Sequence, residues 1–109
     1  MRPHNSGHFS IEGTVTSQFE QHLRAVVDLP LGDTAMTAPA VVMVNVLGGP
    51  AEGPMPTRYP AVLAAHPRAK VHSYDKQPRP GRKVGHITVT GQDLGEVLAE
   101  ARATAAEFD

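Results

Sequence analysis

The residues from Arg2 to His8, with the sequence RPHNSGH, carry the densest set of chemically useful side chains in this chain. They supply one guanidinium, two imidazoles, an amide and a hydroxyl. Proline fixes its own φ angle, and Asn, Ser and Gly favour turns, so the pattern predicts a loop. The planar donor fork of Arg2 matches an oxyanion edge, and His4 and Asn5 add donors at other angles. The loop is therefore a candidate site for a small oxyanion, and a solvated polar tail is the alternative.

A second candidate lies in residues 74–86, with the sequence YDKQPRPGRKVGH. Four basic residues lie on a turn that two prolines stiffen: Lys76, Arg79, Arg82 and Lys83. A stiff loop holds cations in place with little entropy cost on binding, which suits a phosphate monoester. A charged hairpin tip that keeps a sheet edge soluble has the same composition. Both interpretations stay open on these residues alone.

The remaining motifs carry less chemistry. His4 and His8 have the spacing of a helical metal site, but the loop character and the lack of a third ligand nearby argue against a metal. The segment GGPAEG lacks the Gly-Lys-Ser/Thr ending of a phosphate-binding loop. His22 and His66 are expected to be surface residues. No Ser-His-Asp arrangement can be argued from spacing.

Length and composition limit the class of protein. The chain has 109 residues, of which 40% are hydrophobic, and this predicts one folded domain. Net charge is −1, which argues against general nucleic-acid binding, yet residues 68–83 carry +5. A local basic patch suits a small anionic ligand. The absence of cysteine excludes disulfides and thiolate sites. With neither an apolar signal region nor a membrane-length apolar run, we expect a cytoplasmic protein without membrane contacts.

Apolar periodicity and turn residues predict the elements that position these stretches. In chain order they are a short strand within 9–15, a helix over 17–29, a strand over 40–47 buried on both faces, a loop over 48–56, a short helix over 62–65, a hairpin with strands near 69–75 and 84–90, and a helix over 93–108. Ser17 with Glu20 and Asp93 with Glu96 fit capping boxes. The predicted fold is a small α+β domain with a mostly antiparallel sheet and packed helices.

Two helix faces follow from the same periodicity. The first helix has an apolar face of Phe19, Leu23, Val26 and Val27. The last helix has an apolar face of Leu94, Val97, Leu98, Ala101, Ala105 and Phe108.

Four stretches together carry a family resemblance: RPHNSGH, TSQFEQHLRAVVDLPLGDT, VMVNVLG and YDKQPRPGRKVGHITV. In this order they resemble the C-terminal part of N5-carboxyaminoimidazole ribonucleotide synthetase, also described as the ATPase subunit of phosphoribosylaminoimidazole carboxylase. That family consists of ATP-grasp ligases of purine biosynthesis, which use ATP to join bicarbonate to aminoimidazole ribonucleotide through carboxyphosphate. The resemblance implies that Arg2, His4 and Asn5 hold bicarbonate or carboxyphosphate. It also implies that Lys76 and Arg82 contact the phosphate of the ribonucleotide.

Compared with the family, this chain matches only the C-terminal part. Residues 1–16 correspond to the end of the ATP-grasp domain, and residues 17–109 to the C-terminal domain. The parts of the family that hold ATP and magnesium have no counterpart here, so we expect neither to bind tightly to this chain alone. An N-terminal partner chain could supply them, and the family is typically homodimeric. A stand-alone phosphate-binding module and a structural or interaction module are the alternatives.

Overall fold

A computed structural model describes residues 2–50 and 53–109. The loop predicted over 48–56 includes Ala51 and Glu52, which lie outside the described residues. The helices are α1 (Ser10–Gly13), α2 (Gln18–Val26), α3 (Tyr59–Ala65) and α4 (Leu94–Ala106), with 3-10 turns at Asn5–Gly7 and Met55–Arg58. The strands are β1 (Ala40–Leu47), β2 (Lys70–Ser73) and β3 (Lys83–Gly91). No helix within the described residues is long and apolar enough to cross a membrane.

The three strands form one antiparallel sheet in the order β1-β3-β2. The predicted α+β class and antiparallel sheet are therefore confirmed. The register places Asn45 of β1 and His72 of β2 on either side of His86 in β3. Since alternate residues of a strand point to opposite faces, these three side chains share one face of the sheet.

The opposite face of the sheet is apolar and packs against α4. Its central residues Ile87 and Val89 are buried, as are Val97 and Ala101 on the facing helix. The core cluster continues to Phe108, just beyond the end of α4. Burial of this apolar surface is the main driving force for folding the domain.

The prediction that β1 is buried on both faces is wrong. Only Ala40 and Val46 of this strand are buried, and the residues between them are partly exposed. The reason is its position, because β1 pairs with β3 alone and lies at the edge of the sheet. The central strand is β3, where six consecutive residues from Val84 to Val89 are buried.

The short strand predicted within residues 9–15 is also wrong, since this segment forms α1. Ser10 decides the local structure: its hydroxyl donates to the carbonyl of Gly7 at 2.5 Å and accepts from the backbone N–H of Gln18 at 2.9 Å. Extended pairing is limited to a single bridge between Thr14 and Met36. A short alternating pattern predicts strands poorly when hydrogen bonds from side chains to the backbone stabilise a turn or helix instead.

Both predicted helix N-caps are present. The side chain of Ser17 accepts from the backbone N–H of Glu20, and that of Asp93 accepts from Glu96. The helix α2 ends at Val26, three residues earlier than predicted. The two predicted apolar faces differ in outcome: Val97, Ala101 and Phe108 are buried, whereas Leu94 is 61% exposed. The apolar face of α2 is exposed at each of its four positions.

Gly85 lets β2 approach β3 closely beside the polar face. A Cβ atom at this position would collide with the carbonyl oxygen of His72, which is backbone and cannot move aside. The absence of a side chain therefore allows His72 and His86 to lie next to each other on the sheet.

Candidate active-site cleft

The N-terminal loop and the β2–β3 connection meet in an open cleft of about 330 Å³. Its lining comprises Arg2, Pro3, His4, Asn5, His8, Tyr74, Lys76 and Lys83. We call this the anion cleft. Three of these side chains are cationic, and no acidic residue of the described chain lines it. A cleft lined by one sign of charge favours anionic ligands.

The loop geometry comes from local hydrogen bonds. The imidazole of His4 accepts from the backbone N–H of Ser6 at 3.2 Å and so caps a 3-10 turn. Gln18 at the start of α2 donates from Nε2 to the carbonyl of His4 at 3.0 Å and bonds His8 Nδ1 through Oε1 at 2.6 Å. These bonds attach the loop to α2 and leave Arg2 and His4 exposed toward the cleft.

Four of the five predicted site residues lie in the anion cleft: Arg2, His4, Asn5 and Lys76. Arg82 does not line it, because its guanidinium donates to the carbonyl of Gln77 at 3.2 Å within the β2–β3 connection. Lys83 lies in the cleft instead. Adjacent residues entering a strand point in opposite directions, so one of the pair faces the cleft and the other the turn. The binding role of each of the five stays a prediction.

Lys76 lies beside the aromatic ring of Tyr74, with its Nζ 5.9 Å from the ring centroid. This cation–π contact holds the ammonium near the N-terminal loop. The side chain remains exposed, so it can reach an anion in the cleft.

A layer of histidines lies behind the cleft, and sequence reasoning missed it. His72 and His86 stack with ring centroids 4.4 Å apart and an interplanar angle of 16°. The ring centroid of His8 lies 5.6 Å from that of His86, and Glu12 Oε2 accepts from His72 Nε2 at 2.6 Å. Burial, and then the nearby His72 and His8, lower the pKa of His86 to about 4. His86 is therefore neutral at physiological pH.

Tyr74 joins this histidine layer to the cleft. Its hydroxyl lies 2.8 Å from His86 Nδ1 and 3.2 Å from Asn5 Nδ2. Burial raises the pKa of Tyr74, and the hydrogen bond from Asn5 partly opposes that rise. The only available sequence signal was the alternation of Tyr74 with His72 in the strand predicted near 69–75, which does not by itself indicate contact with the N-terminal loop.

No group of three or more His, Cys, Asp or Glu residues in the described ranges 2–50 and 53–109 has metal-binding geometry. His4 instead caps its own turn, and His8 bonds to Gln18.

A sequence model of the phosphoribosylaminoimidazole carboxylase C-terminal domain matches residues 41–100, more than half of the chain. The chain belongs to this family. Among the curated relatives of this family, N5-carboxyaminoimidazole ribonucleotide synthase of Mycobacterium leprae is 57% identical over 98 residues, which are 85% of this chain and 22% of that protein.

Solved structures of the same family agree with the fold. N5-carboxyaminoimidazole ribonucleotide synthetase from Thermotoga maritima is 41% identical, with a TM-score of 0.82 over 99% of this chain and 30% of that one. The Aspergillus clavatus enzyme in complex with ADP and 5-aminoimidazole ribonucleotide is 36% identical, with a TM-score of 0.75 over 95% of this chain and 28% of that one. The present chain thus spans less than a third of the length of these relatives.

Proposed function

We propose that this chain is the C-terminal portion of an ATP-dependent ligase that carboxylates aminoimidazole ribonucleotide with bicarbonate in purine biosynthesis. The observation that carries the proposal is the anion cleft, where Asn5 and Lys76 meet although the sequence separates them by most of the chain. Family membership supplies the reaction, and the cleft supplies cationic and amide donors suited to its anionic substrates.

Within that reaction, the family resemblance assigns roles to five residues, and the donor chemistry of the cleft residues among them suits those roles. Arg2 offers a planar pair of N–H donors to the carboxylate edge of bicarbonate or carboxyphosphate. His4 and Asn5 add donors from the same loop. Lys76 provides a compact point charge for the ribonucleotide phosphate, and the family resemblance assigns Arg82 to the same phosphate.

ATP and magnesium fit this chain poorly. A magnesium ion requires carboxylate or phosphate oxygens, and the described lining of the anion cleft contains no acidic side chain. We assign the binding of both to the part of the relatives that lies outside the match. Neither is expected to bind tightly to this chain alone.

Exposed apolar residues support a role for an N-terminal partner chain. Large hydrophobic side chains are exposed throughout residues 11–36, including Leu23, Val26 and Leu31, each more than 60% exposed. Exposed large apolar side chains concentrated in one segment are a candidate interaction site. We propose that it contacts the ATP-grasp portion, with residues 1–16 as the end of that domain and 17–109 as the C-terminal domain. A cytoplasmic homodimer, as in the family, completes the proposal.

A second candidate function is a stand-alone module that binds phosphorylated ligands without catalysis. One observation favours it: Arg2, Lys76 and Lys83 give the described lining of the anion cleft three cationic side chains.

The ligase proposal predicts that the pure 109-residue chain releases no phosphate from ATP in response to bicarbonate and aminoimidazole ribonucleotide. Adding the part of the Mycobacterium leprae relative outside the match should restore substrate-dependent phosphate release, measured with a coupled phosphate assay. A mixture made with Lys76→Ala should stay inactive. Turnover by the chain alone, or a stable mixed complex without turnover, would contradict the proposal.

The cleft itself can be tested by titrating the chain with inorganic phosphate and following amide chemical shifts by NMR. Shifts should move in residues 2–8 and 74–83, with an affinity near or weaker than about 1 mM. Lys76→Ala should weaken binding about tenfold or more, because it removes a charge-assisted hydrogen bond. The matched control is Lys70→Ala, an exposed lysine outside the cleft lining. Arg82→Ala tests the remaining assignment, and equal effects of Lys70 and Lys76 would exclude a specific site.

A further inference from the structure

The hydroxyl of Tyr74 connects the cleft to the buried face of the sheet. It lies 3.2 Å from Asn5 Nδ2 and 2.8 Å from His86 Nδ1. The contact with Asn5 spans 69 positions of the sequence. It is the one hydrogen bond of the Asn5 side chain to another described residue. Asn5 also lines the anion cleft, so this single bond sets how its amide faces a ligand.

The contacts with Asn5 and His86 agree with the following arrangement of donors and acceptors. The amide of Asn5 donates to the oxygen of Tyr74, which leaves the phenolic hydrogen free to donate to His86 Nδ1. His86 then carries its own hydrogen on Nε2, an atom that is buried and has no hydrogen-bond partner within the described chain. Since neutral imidazole has one donor and one acceptor nitrogen, the acceptor role of Nδ1 fixes the tautomer.

The far end of this chain of groups is rigidly held. His86 is 1% exposed and stacks on His72, which bonds Glu12 of α1 at 2.6 Å. The low pKa of His86 keeps its ring neutral, and the raised pKa of Tyr74 keeps its hydroxyl protonated. A neutral imidazole and a protonated phenol are the forms that this arrangement requires.

We propose that Tyr74 and His86 are positioning residues that fix the rotation of the Asn5 amide, so that its second N–H, and not its oxygen, faces the anion in the cleft. A free amide can turn by half a rotation and exchange its donor for its acceptor. The tether through Tyr74 removes that freedom before the ligand arrives, which lowers the entropy lost on binding. The inference rests on the proposed function of the cleft as an anion site.

The tether can be tested without any ligand, by comparing the chain with Tyr74→Phe, which removes only the hydroxyl. In the unaltered chain, ¹⁵N NMR should show His86 Nδ1 as an unprotonated acceptor and two distinct, well-ordered Asn5 side-chain N–H resonances. In Tyr74→Phe the two Asn5 resonances should move toward solvent-exposed values, while backbone shifts in β1 and α4 stay unchanged. Unaltered Asn5 resonances would overturn the proposal.

A double-mutant cycle with inorganic phosphate as the probe distinguishes positioning from mere structural support. Tyr74→Phe should weaken phosphate binding about threefold to tenfold in the unaltered background, the range that one hydrogen bond supplies. In an Asn5→Ala background the same change should have little effect, because the group that Tyr74 positions is already absent. Equal losses in both backgrounds would show that Tyr74 acts independently of Asn5 and would overturn the proposal.

The two measurements separate this inference from the function on which it rests. If phosphate binds to none of the variants but Tyr74→Phe releases the Asn5 amide, the positioning role stands and the anion function fails. If phosphate binds and the cycle shows no coupling, the anion function stands and the positioning role fails.

Discussion

Phe108→Ala is expected to lower the free energy of unfolding by about 3–5 kcal/mol. The ring of Phe108 is completely buried just beyond the end of α4 and meets Tyr59 edge-on, with centroids 6.2 Å apart. Truncation removes this apolar burial and leaves a cavity in the core cluster. Urea unfolding followed by circular dichroism should show a lower midpoint with an unchanged slope.

The matched control lies at the other end of the same helix. Leu94 belongs to the apolar face predicted from the sequence, yet its side chain is 61% exposed. Leu94→Ala should therefore change stability by no more than about 0.5 kcal/mol. Equal losses in the two variants would mean that α4 packs by its sequence periodicity and not as the structure shows.

Acidification from pH 6.5 to 4 is expected to remove about 3 kcal/mol of stability through His86 alone. In the folded chain its pKa is about 4, and its ordinary value is 6.5. Each pH unit between these values corresponds to about 1.4 kcal/mol. Because the unfolded chain takes up the proton first, this contribution is complete above pH 6.5 and is lost as the pH falls toward 4.

A glutamine at position 86 removes the titrating group and keeps an acceptor for Tyr74. The free energy of unfolding of His86→Gln, measured in urea at intervals from pH 7 to 4, should therefore fall less steeply than that of the unaltered chain. Leu94→Ala, which removes no titrating group, serves as the control and should leave the slope unchanged. Parallel profiles for the unaltered chain and His86→Gln would show that burial and the neighbouring His72 and His8 do not depress the pKa as described.

The sequence predicted those parts of the candidate site whose residues lie within one short segment. The residue types in RPHNSGH predict a loop rich in hydrogen-bond donors. The prolines around Lys76 predict a stiff turn that holds a cation. The contact between the two segments was not predictable from spacing, because it depends on α2 holding the loop through Gln18 and on the hairpin presenting Tyr74 to Asn5. The different placements of Arg82 and Lys83 likewise depend on where β3 begins.

The histidine layer shows why part of the site could not be found in the sequence. His72 and His86 are fourteen positions apart, and only the antiparallel register of β2 and β3 makes them direct partners. Glu12 reaches the same face from a segment that was predicted to be a strand and is helical, and His8 reaches it from the end of the predicted loop. Burial of an imidazole among other imidazoles depends on this packing, so the low pKa of His86 has no signature in composition or motif.

The sequence by itself determined the α+β class, the two capped helices, the hairpin, and the family to which the chain belongs, because these depend on local periodicity, cap residues and motif order. The tertiary structure alone decided that β3 and not β1 is the central strand, and that the apolar face of α2 stays exposed while half of that of α4 is buried. It also decided that Asn5, Tyr74 and His86 form one connected group. Local propensity acts over a few residues, whereas strand order, burial and hydrogen bonds between distant segments depend on which surfaces the whole chain brings together.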